Sequence, residues 1–148
     1  MRRSILIAAS LLAVLSVSAQ AAETKSEELL KARQGSFQAL KLQFMPIVAV
    51  AKGESALSPD TAARAANLAA LAKVLPTTFA KGSESLPKSD TKAEAFTKVE
   101  FLQGFDTLAL EAAKLEAAAK AGDVNGVKAG VGAVGKSCKG CHESFRND

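Results

Sequence analysis

The sequence predicts an all-α fold, an antiparallel up-down four-helix bundle. Beyond the first 25 or so of its 148 residues, the chain is rich in Ala, Leu, Lys and Glu, which are strong helix formers. Its apolar residues recur at steps of three and four, and no stretch shows the alternation of a half-buried strand. Proline and glycine divide it into four segments with short connections, which makes successive helices antiparallel neighbours. This length suits one domain.

The first residues have the pattern of a secretory signal peptide. Arg2 and Arg3 form a basic start, residues 4–17 are an apolar run, and Ala19 and Ala21 are small residues suited to a cleavage site. We therefore predict that residues 1–21 are removed and that residues 22–148 form the bundle. The apolar run is too short for a comfortable membrane span, so no membrane anchor is expected after cleavage.

The first bundle helix is predicted over residues 26–51. Its apolar face comprises Leu30, Phe37, Leu40, Phe44, Ile47 and Ala51. Arg33 lies in the same register, and a charge on an apolar face is costly unless it is paired. Pro46 predicts a kink or a local break, because proline lacks the N–H that an interior helical position needs.

The second helix is predicted to begin at Ser58 and Pro59, an N-cap followed by proline at the first helical position. Pro76 is expected to end this helix, and residues 80–88, which contain glycine and proline, are expected to form a connecting loop.

The third helix is predicted from Ser89 or Asp90 to about Ala121, followed by Gly122 as the C′ residue and Asp123 as the cap of the next helix. The apolar face of the fourth is Val124, Val127, Val131, Val134, Cys138, Cys141 and Phe145. Four glycines in this segment each disfavour a helix by roughly 1 kcal/mol relative to alanine. We expect a bulky group to lie against them: Gly126, Gly130, Gly132 and Gly135.

The fourth segment contains Cys138-Lys139-Gly140-Cys141-His142, a C-x-x-C-H sequence. This is the attachment signature of c-type haem. Residues three apart share a helical face, so both thiols can reach the vinyl groups on one porphyrin edge, and His142 can ligate the iron. We predict one covalently attached haem c per chain.

Other interpretations of the motif are weaker. A thioredoxin-like pair would follow a strand, and no strand is predicted before Cys138. Two Cys and one His would need a fourth ligand from a carboxylate or water to complete a zinc site. A short-loop disulfide is conceivable, but it would leave His142 and the glycines without an explanation.

Because His142 is the only histidine, the opposite face of the iron has Met45, a lysine or nothing to offer. Met45 is the only methionine beyond the predicted cleavage site, and core filler is the favoured interpretation of its role. A vacant sixth position is therefore expected.

The whole chain after the predicted cleavage site resembles the cytochrome c′ family, the class II c-type cytochromes. The resemblance rests on the helix order, the C-terminal C-x-x-C-H, the trailing Phe145-Arg146, and Arg33-Gln34 followed by Phe37. The roles that it implies concern covalent attachment, iron ligation, the propionates and the two faces of the haem. Cys138 and Cys141 would be the thioether cysteines, His142 the proximal iron ligand, Arg33 and Gln34 the neighbours of the propionates, Phe37 the distal residue, and Arg146 a proximal-side residue near His142.

The resemblance implies an exported, periplasmic haem protein with a five-coordinate, high-spin iron. It would bind NO and CO, transfer single electrons to an unknown redox partner, and form a homodimer through its first two helices. A six-coordinate electron carrier of the cytochrome c-556 type and a haem-free helical binding bundle are the alternatives. No acid–base or nucleophile constellation predicts an enzyme, and no basic cluster interleaved with aromatic residues predicts nucleic acid binding.

Overall fold

The computed structural model describes residues 4–147, with side chains from residue 25 onward. Four helices form the bundle: α1 Ser4–Lys52, α2 Pro59–Val74, α3 Val99–Lys120 and α4 Val124–Phe145. Two short 3₁₀ turns, Leu75–Thr78 and Ala93–Thr97, lie in the connection between α2 and α3. Over residues 4–147 there is no strand beyond one isolated bridge between Thr91 and Arg146. The predicted all-α four-helix fold is therefore confirmed.

The helices pack in a ring, with α1 against α2 and α4, and α3 against α2 and α4. Their shared core is aliphatic around Ile47, Leu68, Leu75 and Leu115, all of which are at most 1% exposed. Small residues such as Ala65 and Ala112, both fully buried, allow α2 and α3 to approach closely. The up-down order brings residues 25–37, the end of α2, the start of α3 and the end of α4 to one end of the bundle.

The predicted signal peptide, residues 1–21, lies outside the part of the chain whose side chains are described. Its cleavage therefore stays a prediction. Among the described residues, no helix combines the length and apolar character that a membrane crossing needs.

Pro46 lies inside α1, and the break predicted there is wrong because the helix continues to Lys52. A proline at this position leaves the carbonyl of Leu42 without its helical N–H partner. Arg64 of α2 supplies a substitute, because its Nη1 donates to the Leu42 carbonyl oxygen over 3.4 Å. A neighbouring helix thus satisfies the acceptor that the proline leaves free.

The local signals for helix ends are confirmed at three places. Pro59 is the first residue of α2, and the Ser58 N–H donates to Thr61 Oγ1 over 3.3 Å. Gly122 adopts a φ of +71°, which suits the residue after a helix end. Asp123 Oδ1 accepts a hydrogen bond from the Gly126 N–H over 2.9 Å, as expected of an N-cap.

The predicted start of the third helix is wrong, because α3 begins only at Val99. The preceding backbone is engaged by the end of the chain. The Lys92 N–H donates to the Phe145 carbonyl over 2.8 Å, and the Asn147 N–H donates to the Asp90 carbonyl over 2.7 Å. Residues 90 and 92 are thus paired with the end of the chain, and residues 89–98 form a connection that contains the 3₁₀ turn Ala93–Thr97.

Two of the four glycines of α4 at which a bulky group is expected are explained by helix packing instead. A Cβ at Gly126 would lie 2.9 Å from Ala118 Cβ, and one at Gly130 would lie 2.9 Å from Leu115 Cδ1, both on α3. At Gly132 and Gly135 a Cβ would meet no atom within 4 Å. The close approach of α3 and α4 therefore accounts for the first pair only.

Candidate haem site

Cys138, Cys141 and His142 lie in the last two turns of α4. Both cysteines are partly buried free thiols that pack against the core, whereas His142 is exposed. Burial raises the pKa of the Cys138 thiol above its ordinary value, with a smaller lowering by a backbone hydrogen bond. Burial also raises the pKa of Cys141, and the charge of Cys138 adds to the effect. Thioredoxin-like chemistry needs a lowered thiol pKa, so these shifts argue against it.

An aromatic cluster fills this end of the bundle. Every phenylalanine except Phe44 belongs to it: Phe37, Phe79, Phe96, Phe101, Phe105 and Phe145. Phe79 is its centre, with Phe101 at 4.8 Å and Phe96 at 5.4 Å between ring centroids. Phe145, one turn beyond Cys141, contacts Phe101 at 5.1 Å and so ties the end of α4 to the start of α3.

Phe37, the predicted distal residue, is a partly buried member of this cluster. Its ring lies 6.4 Å from Phe79 and 6.5 Å from Phe105. A phenyl ring offers neither an iron ligand nor a hydrogen-bond donor. The structure therefore brings an apolar side chain of α1 to the end of the bundle that carries the cysteines.

Arg33 is buried at the same end, with 2% of its surface exposed. Its Nη2 donates to the Thr78 carbonyl and to Ser83 Oγ, each over 2.8 Å. The guanidinium carbon lies 4.2 Å from the centre of the Phe79 ring and 5.0 Å from that of Phe96. Its Nε and Nη1 have no hydrogen-bond partner, although both are buried.

The pKa of Arg33 reflects this burial. Desolvation lowers its pKa, and the carboxylates of Asp90 and Glu84 raise it. A buried guanidinium with unpaired N–H groups is costly unless an acceptor, best of all an anion, completes its hydrogen bonds. The predicted need for a partner on the apolar face of α1 is thus only partly met by protein atoms.

Gln34 and Arg146 both contact the connection between α2 and α3. Gln34 Nε2 donates to the Lys88 carbonyl over 3.0 Å, at a residue with a φ of +70°. Arg146, one turn after His142, forms an ion pair with Asp90 through Nη2 and Oδ2, 3.1 Å apart. The structure therefore places Gln34 beside Arg33, and Arg146 beyond His142, with each partly engaged by protein atoms.

Met45 is 51% exposed, so the prediction that it fills the core is wrong. It follows Phe37 by eight positions on α1, which corresponds to about 80° around the helix and ~12 Å along it.

Ser83, Thr78 and Phe96 are the site residues that the sequence pattern missed. All three belong to the connection between α2 and α3, where no periodicity predicts which side chain faces inward. Loop residues of this kind are found only through their long-range partners, here Arg33.

The residues at this end fit a c-type haem. The thiols lie three residues apart on one helix with a histidine next to them, the surroundings are aromatic, and buried N–H groups await a carboxylate. Over the described residues, no group of three or more His, Cys, Asp or Glu could hold a metal ion by itself. A cofactor that brings its own macrocycle matches this donor set better than a protein-only metal centre.

Comparison with known proteins identifies related chains. A family model described as cytochrome c′ matches residues 28–146. Cytochrome c′ of Cereibacter sphaeroides is 38% identical over 151 residues, which cover 99% of this chain and 98% of that protein. Cytochrome c′ of Pararhodospirillum photometricum is 35% identical over 99 residues, 66% of this chain and 79% of that protein.

Solved structures show the same fold. The crystal structure of Rubrivivax gelatinosus cytochrome c′ has a TM-score of 0.70 and 31% identity, covering 78% of this chain and 91% of that one. A nitric oxide complex of a mutant cytochrome c′ from Alcaligenes xylosoxidans has a TM-score of 0.75 and 28% identity, covering 83% and 97%. A carbon monoxide-bound variant of the same protein gives the same values. The chain therefore belongs to the cytochrome c′ family, whose members bind haem c.

Proposed function

We propose that this protein carries one covalent haem c and binds NO and CO at an iron face that no side chain ligates. One observation carries the proposal. Cys138, Cys141 and His142 lie at the same end of the bundle as Phe37 and as the unpaired N–H groups of Arg33. The nitric oxide and carbon monoxide complexes of Alcaligenes xylosoxidans cytochrome c′ support gas binding.

The residues of α4 would hold the cofactor. Cys138 and Cys141 would form the two thioethers, and His142 would be the axial ligand on the proximal side. Arg33 would donate to a propionate through its unpaired Nε or Nη1, with Gln34 beside it. When bound, the haem supplies an iron that takes up one small gas molecule or one electron.

Phe37 would cover the opposite side of the haem. Its ring is apolar and is packed against Phe79 and Phe105, so it cannot ligate and disfavours water at that side. This supports a five-coordinate, high-spin state. The surface position of Met45 argues against the six-coordinate cytochrome c-556 type of carrier, in which a methionine would complete the coordination.

Arg146 would act on the proximal side, one turn beyond His142. Its N–H donates to the His142 carbonyl over 3.1 Å, and its side chain pairs with Asp90. These contacts hold the end of the ligand-bearing helix in place. A role beside the proximal face would use the guanidinium N–H groups that Asp90 leaves free.

Export to the periplasm through cleavage after residue 21 belongs to the same proposal, because haem c is attached outside the bacterial cytoplasm. A homodimer through α1 and α2 is also part of the proposal, and it would cover the exposed apolar side chains Leu42 of α1 and Val74 of α2. Electron exchange with a redox partner is compatible with a cofactor near one end of the bundle. No acid–base constellation supports an enzyme.

The cofactor assignment is tested by the intact mass and the pyridine haemochrome of protein expressed with the haem c maturation system. The proposal predicts the mass of residues 22–148 plus one haem and a spectrum of haem attached through two thioethers. The Cys138→Ser variant should give the spectrum of a single thioether. A mature protein without covalent haem would leave the haem-free bundle as the correct alternative.

A further inference from the structure

Only one of the three guanidinium nitrogen atoms of Arg33 is hydrogen-bonded to the protein. Nη2 is committed to the Thr78 carbonyl and to Ser83 Oγ, whereas Nε and Nη1 are buried with no partner. The Phe79 and Phe96 rings lie against the guanidinium. The guanidinium is therefore fixed through Nη2 and the two rings, whereas Nε and Nη1 form no hydrogen bond with the protein.

Ser83 is well placed to accept the hydrogen bond from Arg33 Nη2. It is fully buried, and its hydroxyl donates to the Ala80 carbonyl over 2.7 Å. Because the single hydroxyl proton is used in this way, only the lone pairs of Oγ face Arg33, and they accept from Nη2 over 2.8 Å. The Ser83 N–H also donates to Ala80, over 3.2 Å, which fixes the backbone of this turn.

We propose that Ser83 is a positioning residue for the haem. Ser83 fixes the Arg33 guanidinium so that the unpaired N–H groups of Arg33 can donate to a propionate carboxylate. The inference rests on the proposed haem site and assigns a role in it to the connection between α2 and α3. Ser83 itself touches neither the iron nor the gas.

Ser83 should affect the reduction potential of the haem through the charge of Arg33. A guanidinium beside a propionate offsets the negative charge that otherwise favours ferric over ferrous iron, and it keeps the propionate ionised. When Arg33 is free to turn away, the reduction potential should fall and should vary more with pH as the propionate titrates. The other charged groups that act on Arg33 are Asp90 and Glu84 of the same connection, and both are retained in the test.

The experiment is a spectroelectrochemical titration of the mature holoprotein at several pH values, for the parent and for Ser83→Ala, Arg33→Gln and the double variant. We expect a lower and more pH-dependent potential in S83A. We expect no further shift when S83A is added to R33Q, because Ser83 acts through Arg33. Thr61→Val removes another buried hydroxyl at the far end of the bundle, and it should leave the potential unchanged.

An unchanged potential in S83A, or an equal shift in the parent and R33Q backgrounds, would overturn the inference. Should S83A fail to fold, Ser83→Cys weakens the same acceptor, and a parent-like potential would count equally against the proposal. These outcomes differ from failure of the proposed function, in which the parent itself would carry no covalent haem.

Discussion

Arg146 and Asp90 form an ion pair, 3.1 Å between Nη2 and Oδ2, that ties the turn after His142 to the connection between α2 and α3. Backbone hydrogen bonds on both sides of it join the same segments, from Lys92 to Phe145 and from Asn147 to Asp90. The end of the helix that carries the C-x-x-C-H motif is thus anchored from outside α4.

We predict a small effect when this ion pair is removed. Both partners are 56% exposed, so Asp90→Asn should lower the free energy of unfolding by less than about 1 kcal/mol, and the loss should shrink as salt is added. Urea denaturation at two ionic strengths measures it. Glu54→Gln, which breaks the longer Lys52–Glu54 pair at 3.9 Å, is the control and should cost less still. A large, salt-independent loss in D90N would show that Asp90 acts otherwise than through its charge.

Phe37 provides a prediction about gas binding. Replacing it with alanine should speed CO association, because the ring that crowds the distal side would be gone. Flash photolysis of the CO complex measures the rate. Phe44→Ala is the matched control, since Phe44 is also partly buried on α1 but belongs to no ring pair of the cluster. An F37A rate equal to that of the parent would count against a gating role for Phe37.

The two cysteines provide a prediction about the haem-free chain. Burial raises both thiol pKa values, so the fraction of reactive thiolate at neutral pH is smaller in the folded than in the unfolded protein. Alkylation by iodoacetamide should be slow in buffer and faster in urea, and its pH midpoint should lie above that of an ordinary thiol. Because the Cys138 charge contributes to the raised pKa of Cys141, Cys138→Ala should lower the midpoint of Cys141. A midpoint below that of a free thiol would contradict these directions.

The same shifts have a consequence for stability. A thiol whose pKa is raised by folding binds its proton more tightly in the folded state, so its contribution is retained at neutral pH and lost as alkali ionises the unfolded thiol. The haem-free protein should therefore lose stability at alkaline pH relative to the Cys138→Ala, Cys141→Ala double variant.

Two glycines of α4 should respond in opposite directions to alanine. Gly130→Ala would place a Cβ 2.9 Å from Leu115 Cδ1 and 3.2 Å from Leu115 Cα, so we expect a loss of about 1–3 kcal/mol. Gly132→Ala meets nothing within 4 Å and should gain up to about 1 kcal/mol from helix propensity. Urea denaturation followed by far-UV circular dichroism distinguishes them. Equal effects at the two positions would contradict the close packing of α3 on α4.

The features that follow from the sequence are those with local causes. Gly122 and Asp123 end one helix and cap the next through interactions within a few residues, so their roles could be predicted. The start of α3 could not, because residues 90–92 are held by residues 145–147 more than 50 positions away. The Leu42 carbonyl, which Pro46 leaves without a helical donor, likewise has a long-range partner in Arg64.

The candidate site likewise combines features that are visible in the local sequence with contacts that depend on distant residues. The C-x-x-C-H spacing and the charge of Arg33 on an apolar face are visible in the sequence. The partners of that charge lie 45 and 50 residues away, in a segment whose composition indicates only a loop. Sequence patterns therefore yield candidate site residues on α1 and α4, whereas the partners of Arg33 depend on how the connection folds back.

An iron face that no protein side chain ligates should be visible in the absorption spectrum of the reduced holoprotein, recorded before and after addition of CO. We predict the broad bands of high-spin ferrous haem without CO and a change to the sharp bands of a low-spin CO complex when the gas is added. Sharp low-spin bands that do not respond to CO would contradict a five-coordinate iron and would favour a six-coordinate electron carrier.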